Sequence, residues 1–183
     1  ESLGSVQVIC SDKTGTLTQN RMTVQNIWAD GVLTRGTDLE LANDAQRTLL
    51  KIALLDSDAT MDHETGASVG DPTEVALVQL GGRFGVEERA YRTQHPRLAE
   101  LAFDSDRKLM TTVHRIQDRN IAYTKGAVDE MLPLCTHMLT AAGVRPMTET
   151  DQRQILSLCN QMSEQALRVL GFAMRTLEHI PGE

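Results

Sequence analysis

The sequence predicts an α+β fold, an antiparallel β-sheet flanked by helices. Three observations predict it. Short, partly alternating stretches at residues 98–103 and 109–116 are separated by Asp104-Ser105-Asp106-Arg107, and Asp118-Arg119-Asn120 turns the chain into a third stretch ending at Thr124. That is the pattern of a β-meander. Helical signals lie on both sides of this block, densest at residues 43–55 and 149–167. Finally, 183 residues with 40% hydrophobic and 23% charged side chains suffice for one domain with a real core, or one domain plus part of another.

In chain order, residues 5–10 read as a buried strand, followed by a small, hydroxyl-rich loop and an extended run over residues 22–29 that turns at Asp30-Gly31. Leu49, Leu50, Ile52, Ala53 and Leu54 cluster densely, as expected of a mostly buried helix over residues 43–55. Residues 56–70 are small and polar, which predicts a surface loop. Asp71-Pro72-Thr73-Glu74 opens the next helix with an aspartate cap, a proline at the first helical position and a glutamate three residues after the cap. This helix turns Val75, Ala76, Val78 and Leu80 inward and is expected to stop at Gly81-Gly82. A more exposed helix over residues 86–93 leads into the meander. Helix signals return at residues 127–132, and the longer helix at 149–167 sets Ile155, Leu158, Met162, Ala166 and Leu167 on one face. Residues 168–176 close as a strand, and no internal repeat occurs.

Composition excludes several functions. No apolar run approaches the roughly 20 residues of a membrane-spanning helix. The net charge of −7, with no Lys/Arg block, argues against a nucleic-acid surface. Cys10, Cys135 and Cys159 are widely spaced and form no Cys-x-x-Cys pair, so they read as reduced thiols; Cys135 with His137 is too small a set for a metal site. The first residues carry no signal-peptide pattern.

The most informative run is Cys10-Ser11-Asp12-Lys13-Thr14-Gly15-Thr16-Leu17-Thr18. Val6, Val8 and Ile9 deliver Asp12 to a strand end, where a flexible, hydroxyl-rich segment follows at once. A carboxylate so placed is a nucleophile for phosphorus when a metal and fixed donors offset the incoming charge. Gly15 admits the transferred group close to the backbone, and Thr14 and Thr16 offer donors.

Asp12 to Thr18 resembles the phosphorylation signature of the P-type cation-transporting ATPases. The resemblance extends along nearly the whole chain. Gly70-Asp71-Pro72-Thr73-Glu74 is similar to the family's helix start whose glutamate reaches the adenine side of ATP. Phe103-Asp104-Ser105-Asp106-Arg107-Lys108 resembles the strand-turn-strand whose aromatic ring stacks on adenine and whose lysine lines the pocket. Lys125-Gly126-Ala127 matches the Lys-Gly-Ala motif of the pocket floor, and Arg168 stands where the family has a phosphate-directed arginine. The chain departs from the family pattern at Val128, commonly a proline, and at Ser105, an arginine in the animal calcium pump.

The residue chemistry agrees. Adenine needs a flat apolar platform, and at 3% aromatic content the chain offers few besides Phe103. Glu74 can accept from an exocyclic amine or serve only as a capping box; Lys108 and Lys125 supply positive charge, and Gly126 admits a ligand against the backbone.

The resemblance implies two parts: residues 1–20, the start of a Rossmann-like phosphorylation domain and its hinge, and residues 21–183, a nucleotide-binding domain lacking its closing segment. It implies ATP and Mg2+ as cofactors, with Asp12 and Thr14 among the magnesium ligands, and Asp12, Lys13, Thr14 and Thr16 at the catalytic centre. ATP contacts fall to Glu74, Phe103, Lys108, Lys125, Gly126 and Arg168. Partners would be the phosphorylation, actuator and membrane domains of the pump, at the cytoplasmic face of a membrane, with no nucleic acid, no direct membrane insertion and a monomeric state. The family's Thr-Gly-Asp and Gly-Asp-Gly-Val-Asn-Asp motifs do not occur here, so the chain alone is expected to bind ATP weakly without phosphorylating itself, with residues 1–18 poorly anchored. The sequence leans towards bacterial calcium-type pumps.

Two other functions compete. A haloacid dehalogenase phosphatase also uses a strand-end aspartate, but it usually carries a second aspartate two residues later, where this chain has Thr14. A non-catalytic nucleotide-binding or interaction module would make Asp12 incidental.

Overall fold

A computed structural model of the chain describes residues 21–62 and 65–180. The expected first strand, the Asp12 loop with Lys13, Thr14 and Thr16, and Cys10 lie outside the described residues.

The chain first forms a hairpin, β1 (Asn26–Ala29) and β2 (Val32–Arg35), closed at Asp30-Gly31 with Ala29 opposite Val32. Helix α1 (Asp44–Leu55) follows, capped by Asn43, whose Oδ1 accepts from the amides of Ala45 at 3.0 Å and Gln46 at 3.2 Å. Those amides have no partner within the helix, so Asn43→Ala should lower stability by about 1 kcal/mol in urea unfolding. Side chains leave α1 in two directions. Leu50 and Leu54 join Ile27, Leu39 and Leu80 in one core, while Ile52 and Leu55 meet Ile121 and Tyr123 in a second.

The expected surface loop over residues 56–70 is exposed along most of its described length but not at its start: Asp56, Ser57 and Ala59 have no solvent exposure. Because α1 ends among the buried side chains of the sheet, its continuation starts inside, and polar composition there reflects internal hydrogen bonding. Ser57 Oγ donates to the Ala53 carbonyl at 2.8 Å. The chain then surfaces through the short pair β3 (Thr60–Met61) and β4 (Ser68–Val69).

Helix α2 (Pro72–Arg83) starts where expected, with Asp71 as cap and Pro72 at its first turn, but it runs through Gly81-Gly82 to Arg83. Gly81 is a contact and not a stop: a Cβ there would stand 2.5 Å from Leu54 Cδ2, so glycine lets α2 lie close on α1. Helix α3 (Glu88–Gln94) leads into the meander β5 (Arg97–Asp104), β6 (Leu109–Ile116) and β7 (Arg119–Gly126).

After β7 come α4 (Val128–Met131), a 3-10 turn (Leu132–Leu134), and a hairpin that sequence patterning did not reveal, β8 (His137–Thr140) with β9 (Gly143–Pro146). Helix α5 (Glu149–Glu164) begins with a reciprocal cap in which Thr148 and Asp151 satisfy each other's backbone amides. It ends three residues earlier than expected, since Ala166 adopts φ 59, outside helical geometry. Strand β10 (Gly171–Leu177) returns to pair with β7, giving a four-stranded antiparallel sheet in the order β10-β7-β6-β5.

Candidate nucleotide site

An irregularity in strand pairing builds the site. Leu101 pairs with Thr111 and Asp104 with Leu109, so Ala102 and Phe103 together stand opposite the single residue Met110. This is a β-bulge, which bends the strand and re-aims a side chain. Met110 is paired with Lys125, and Lys125 with Phe172. One row thus crosses all four strands: Phe103, Met110, Lys125, Phe172. At its β5 end the Phe103 side chain is 62% exposed, a flat apolar surface open to solvent.

Lys125, further along the row, is nearly covered, and a buried ammonium must be paired. Its Nζ lies 2.9 Å from Glu74 Oε1, donates to the Asp56 carbonyl, and sits 3.0 Å from Met110 Sδ. The other oxygen of Glu74 accepts from the amides of Asp58 at 2.8 Å and Ala59 at 3.1 Å. Glu74 therefore makes no capping box, the role its position after Asp71 suggested. The cap is made by Asp71, which accepts from the Thr73 amide at 2.8 Å, and Glu74 is free to tie the α1–β3 connection to β7.

Lys125 and Glu74, assigned from separate motifs, are thus brought together. Gly126 follows with φ +152, and a Cβ on it would lie 2.2 Å from the Lys108 carbonyl oxygen, so the crossing of β7 past the start of β6 requires glycine. Lys108 itself is not brought to Lys125. It is exposed, with its Nζ 2.7 Å from Glu130 Oε1 on α4, and that hydrogen bond holds the ammonium above its ordinary pKa. Arg168 is exposed on the segment before β10. Its charge reaches Asp71: burial pushes that carboxyl up, but hydrogen bonds from Thr73 and the Arg168 guanidinium bring it below its ordinary value. Arg168 thus acts electrostatically on the cap of α2, the helix that carries Glu74.

The profile of the P-type ATPase cytoplasmic domain N matches residues 45–182. The chain belongs to this family. Calcium-transporting ATPase 1 of Bacillus cereus is 46% identical over 175 residues, covering 96% of this chain and 20% of that protein. Calcium-transporting ATPase lmo0841 of Listeria monocytogenes is 38% identical over 179 residues, covering 97% and 20%. Cation-transporting ATPase pma1 of Synechocystis is 36% identical over 201 residues, covering 97% and 22%. The N-domain chain therefore spans about a fifth of the length of these relatives. Among the described residues no helix is long and apolar enough to cross a membrane, and no group of three or more His, Cys, Asp or Glu side chains is arranged to hold a metal ion.

Beneath the Lys125–Glu74 pair the N domain contains polar residues that sequence reasoning missed. Asp56 Oδ1 and Thr112 Oγ1 are 3.1 Å apart, Thr112 Oγ1 and His114 Nε2 3.0 Å, and His114 Nδ1 is 2.9 Å from the His95 carbonyl. Burial pushes the Asp56 carboxyl up to about 7 against the opposing pull of Lys125 and Thr112, and burial lowers His114. Beside them Arg97 holds Asp58 and Glu100, each at 2.7 Å, and donates to the carbonyls of Leu55 and Ser57. A signal for this network was present: Met110, Thr112 and His114 alternate on one face of β6, and Asp56 directly follows the apolar run of α1.

Proposed function

We propose that this domain holds ATP for a membrane cation pump, in which Asp12 takes the γ-phosphoryl group. Phe103 offers the platform for adenine, and Lys125, fixed by Glu74, supplies positive charge behind it. Glu74 keeps lone pairs for an exocyclic amine, since a carboxylate accepts up to about four hydrogen bonds. Gly126 keeps the pocket floor low, Lys108 lines the pocket, and Arg168 is directed at the phosphates. In the complete pump a carboxylate oxygen of Asp12 attacks the γ-phosphorus, the bond to the β–γ bridging oxygen breaks, and ADP departs, leaving an aspartyl phosphate. Lys13, Thr14 and Thr16 orient that transfer. The described residues offer magnesium no cluster of their own, so Mg2+ would arrive with the nucleotide and be held at Asp12 and Thr14.

Two of the relatives are named calcium-transporting, which supports Ca2+ as the transported ion and the cytoplasmic side of a membrane as the location. The remaining domains of such a pump would be the partners of this one.

One observation carries the ATP assignment: an exposed aromatic ring and a buried, carboxylate-fixed lysine share a single row of the sheet. Calorimetric titration with ATP tests it. Stacking on one ring is worth about 1–3 kcal/mol, so Phe103→Ala should weaken binding about tenfold or more. Because the ring is largely exposed, the melting temperature should stay unchanged. Equal affinity of the two proteins for ATP would overturn the assignment.

A further inference from the structure

We propose that Asp56 is a protonated positioning residue of the nucleotide site: its carboxyl O–H donates to Thr112 Oγ1, Thr112 donates to His114 Nε2, and the Asp56 carbonyl steadies the Lys125 ammonium. The affinity part of this rests on the ATP assignment; the proton placement does not.

The hydrogen bonds dictate the proton count. The His95 carbonyl can only accept, so His114 Nδ1, 2.9 Å away, carries a hydrogen. In a neutral imidazole Nε2 is then an acceptor. The Thr112 hydroxyl stands between this nitrogen and Asp56 Oδ1 with one hydrogen to give. An ionised Asp56 beside a neutral His114 would ask that hydrogen to serve two acceptors. One further proton must therefore reside in the chain, on Asp56 or on His114.

Charge and burial place it on Asp56. A proton on His114 would create two buried charges, a carboxylate and an imidazolium; burial first, with the charges of Arg97 and His95 behind it, disfavours that cation and outweighs the His95 and Leu55 carbonyls, which favour it. A proton on Asp56 creates none. The second carboxyl oxygen, Oδ2, has no hydrogen-bond partner among the described residues, a situation far less costly for a neutral carboxyl than for a carboxylate. The titratable and charged groups around this point are Lys125 and Tyr123 on β7, Glu74 on α2, Arg97 on β5, His114 on β6, and Arg92 and His95 on and after α3; Tyr123, which pairs with Thr112 and packs on His114, is held neutral by burial. Glu88 occupies Arg92, Asp58 and Glu100 occupy Arg97, and Glu74 occupies Lys125. No cation among them is left over to neutralise a second carboxylate.

The sign of the pH dependence follows. With a carboxyl raised from 3.8 to about 7 by burial, the native state keeps a proton that the unfolded chain has released. Stability therefore falls as pH rises from about 4 through 7 and levels off above. Ionisation also sets a carboxylate against Glu74 for the same lysine, which loosens the Lys125 site.

Carbon-13 NMR of the Asp56 carboxyl and nitrogen-15 NMR of His114 read the proton directly in the unmodified chain. The expected result is a carboxyl titrating near neutrality above a neutral imidazole protonated at Nδ1. A carboxyl ionised throughout pH 5–8 would overturn the proposal. Asp56→Asn copies the neutral acid. It should melt with the native chain at pH 5.5 and several degrees above it at pH 8.5, and its ATP affinity relative to the native chain should rise several-fold between those values. This ratio cancels the titration of ATP itself. Parallel pH profiles for the two proteins would also refute it. Failure to bind ATP at any pH would refute the ATP assignment while leaving the carboxyl resonance to decide the proton.

Discussion

Lys125→Met is expected to abolish measurable ATP binding and to cost about 3 kcal/mol or more of stability, the usual range when one partner of a buried ion pair is removed. The methionine fills the space but leaves Glu74, only 14% exposed, with a carboxylate that no cation balances. Two backbone amides still reach Glu74, so the penalty is that of an unpaired charge and not of a wholly unsatisfied group. Adding Glu74→Gln to Lys125→Met should recover a good part of the loss, since an amide oxygen can keep the bonds from Asp58 and Ala59 without a net charge. Urea unfolding of both single variants and the double variant measures the coupling. A Lys125→Met protein within 1 kcal/mol of the native chain would show that the pair is solvated and not part of the core.

Gly126→Ala should be as damaging for a different reason. The added methyl would stand 2.2 Å from the Lys108 carbonyl oxygen and 2.9 Å from Leu109 Cα, both backbone atoms. At φ +152 an L side chain is strained wherever its neighbours lie. Relief requires β6 and β7 to part at the end that carries Lys125, so the clash and the site are lost together. A cost of about 3 kcal/mol or more, read by thermal or urea unfolding, is expected, against about 0.5–1 kcal/mol gained when alanine replaces glycine at an unstrained position. A variant as stable as the native chain would mean that the strand ends separate freely.

Much of this architecture could be read from residues in order. Turn residues marked the reversal at Asp30-Gly31 and, one to two residues late, the one at Gln117-Asp118, where Arg119 and Asn120 already belong to β7; the stacked signals at Asp71-Pro72 marked the start of α2. The motif residues Glu74 and Lys125 were also legible, because their types and neighbours are distinctive. Their meeting was not, since nothing local in either stretch encodes a contact across 51 positions (125 − 74). Local chemistry misled at Asp56 and Ser57, where polar side chains read as solvated although α1 carries them inward. It was silent on the β8–β9 hairpin, whose strands of four residues are too short to show alternation. The bulge that pairs two residues of β5 with Met110 was equally hidden, because an extra residue in a strand has no compositional signature.

The position of α1 between the two apolar clusters has a thermodynamic consequence. Since Leu50 and Leu54 belong to one cluster and Ile52 and Leu55 to the other, neither half can melt without stripping a flank of the same rod. Heat should accordingly take the molecule apart in a single sharp step, with calorimetric and van't Hoff enthalpies in agreement.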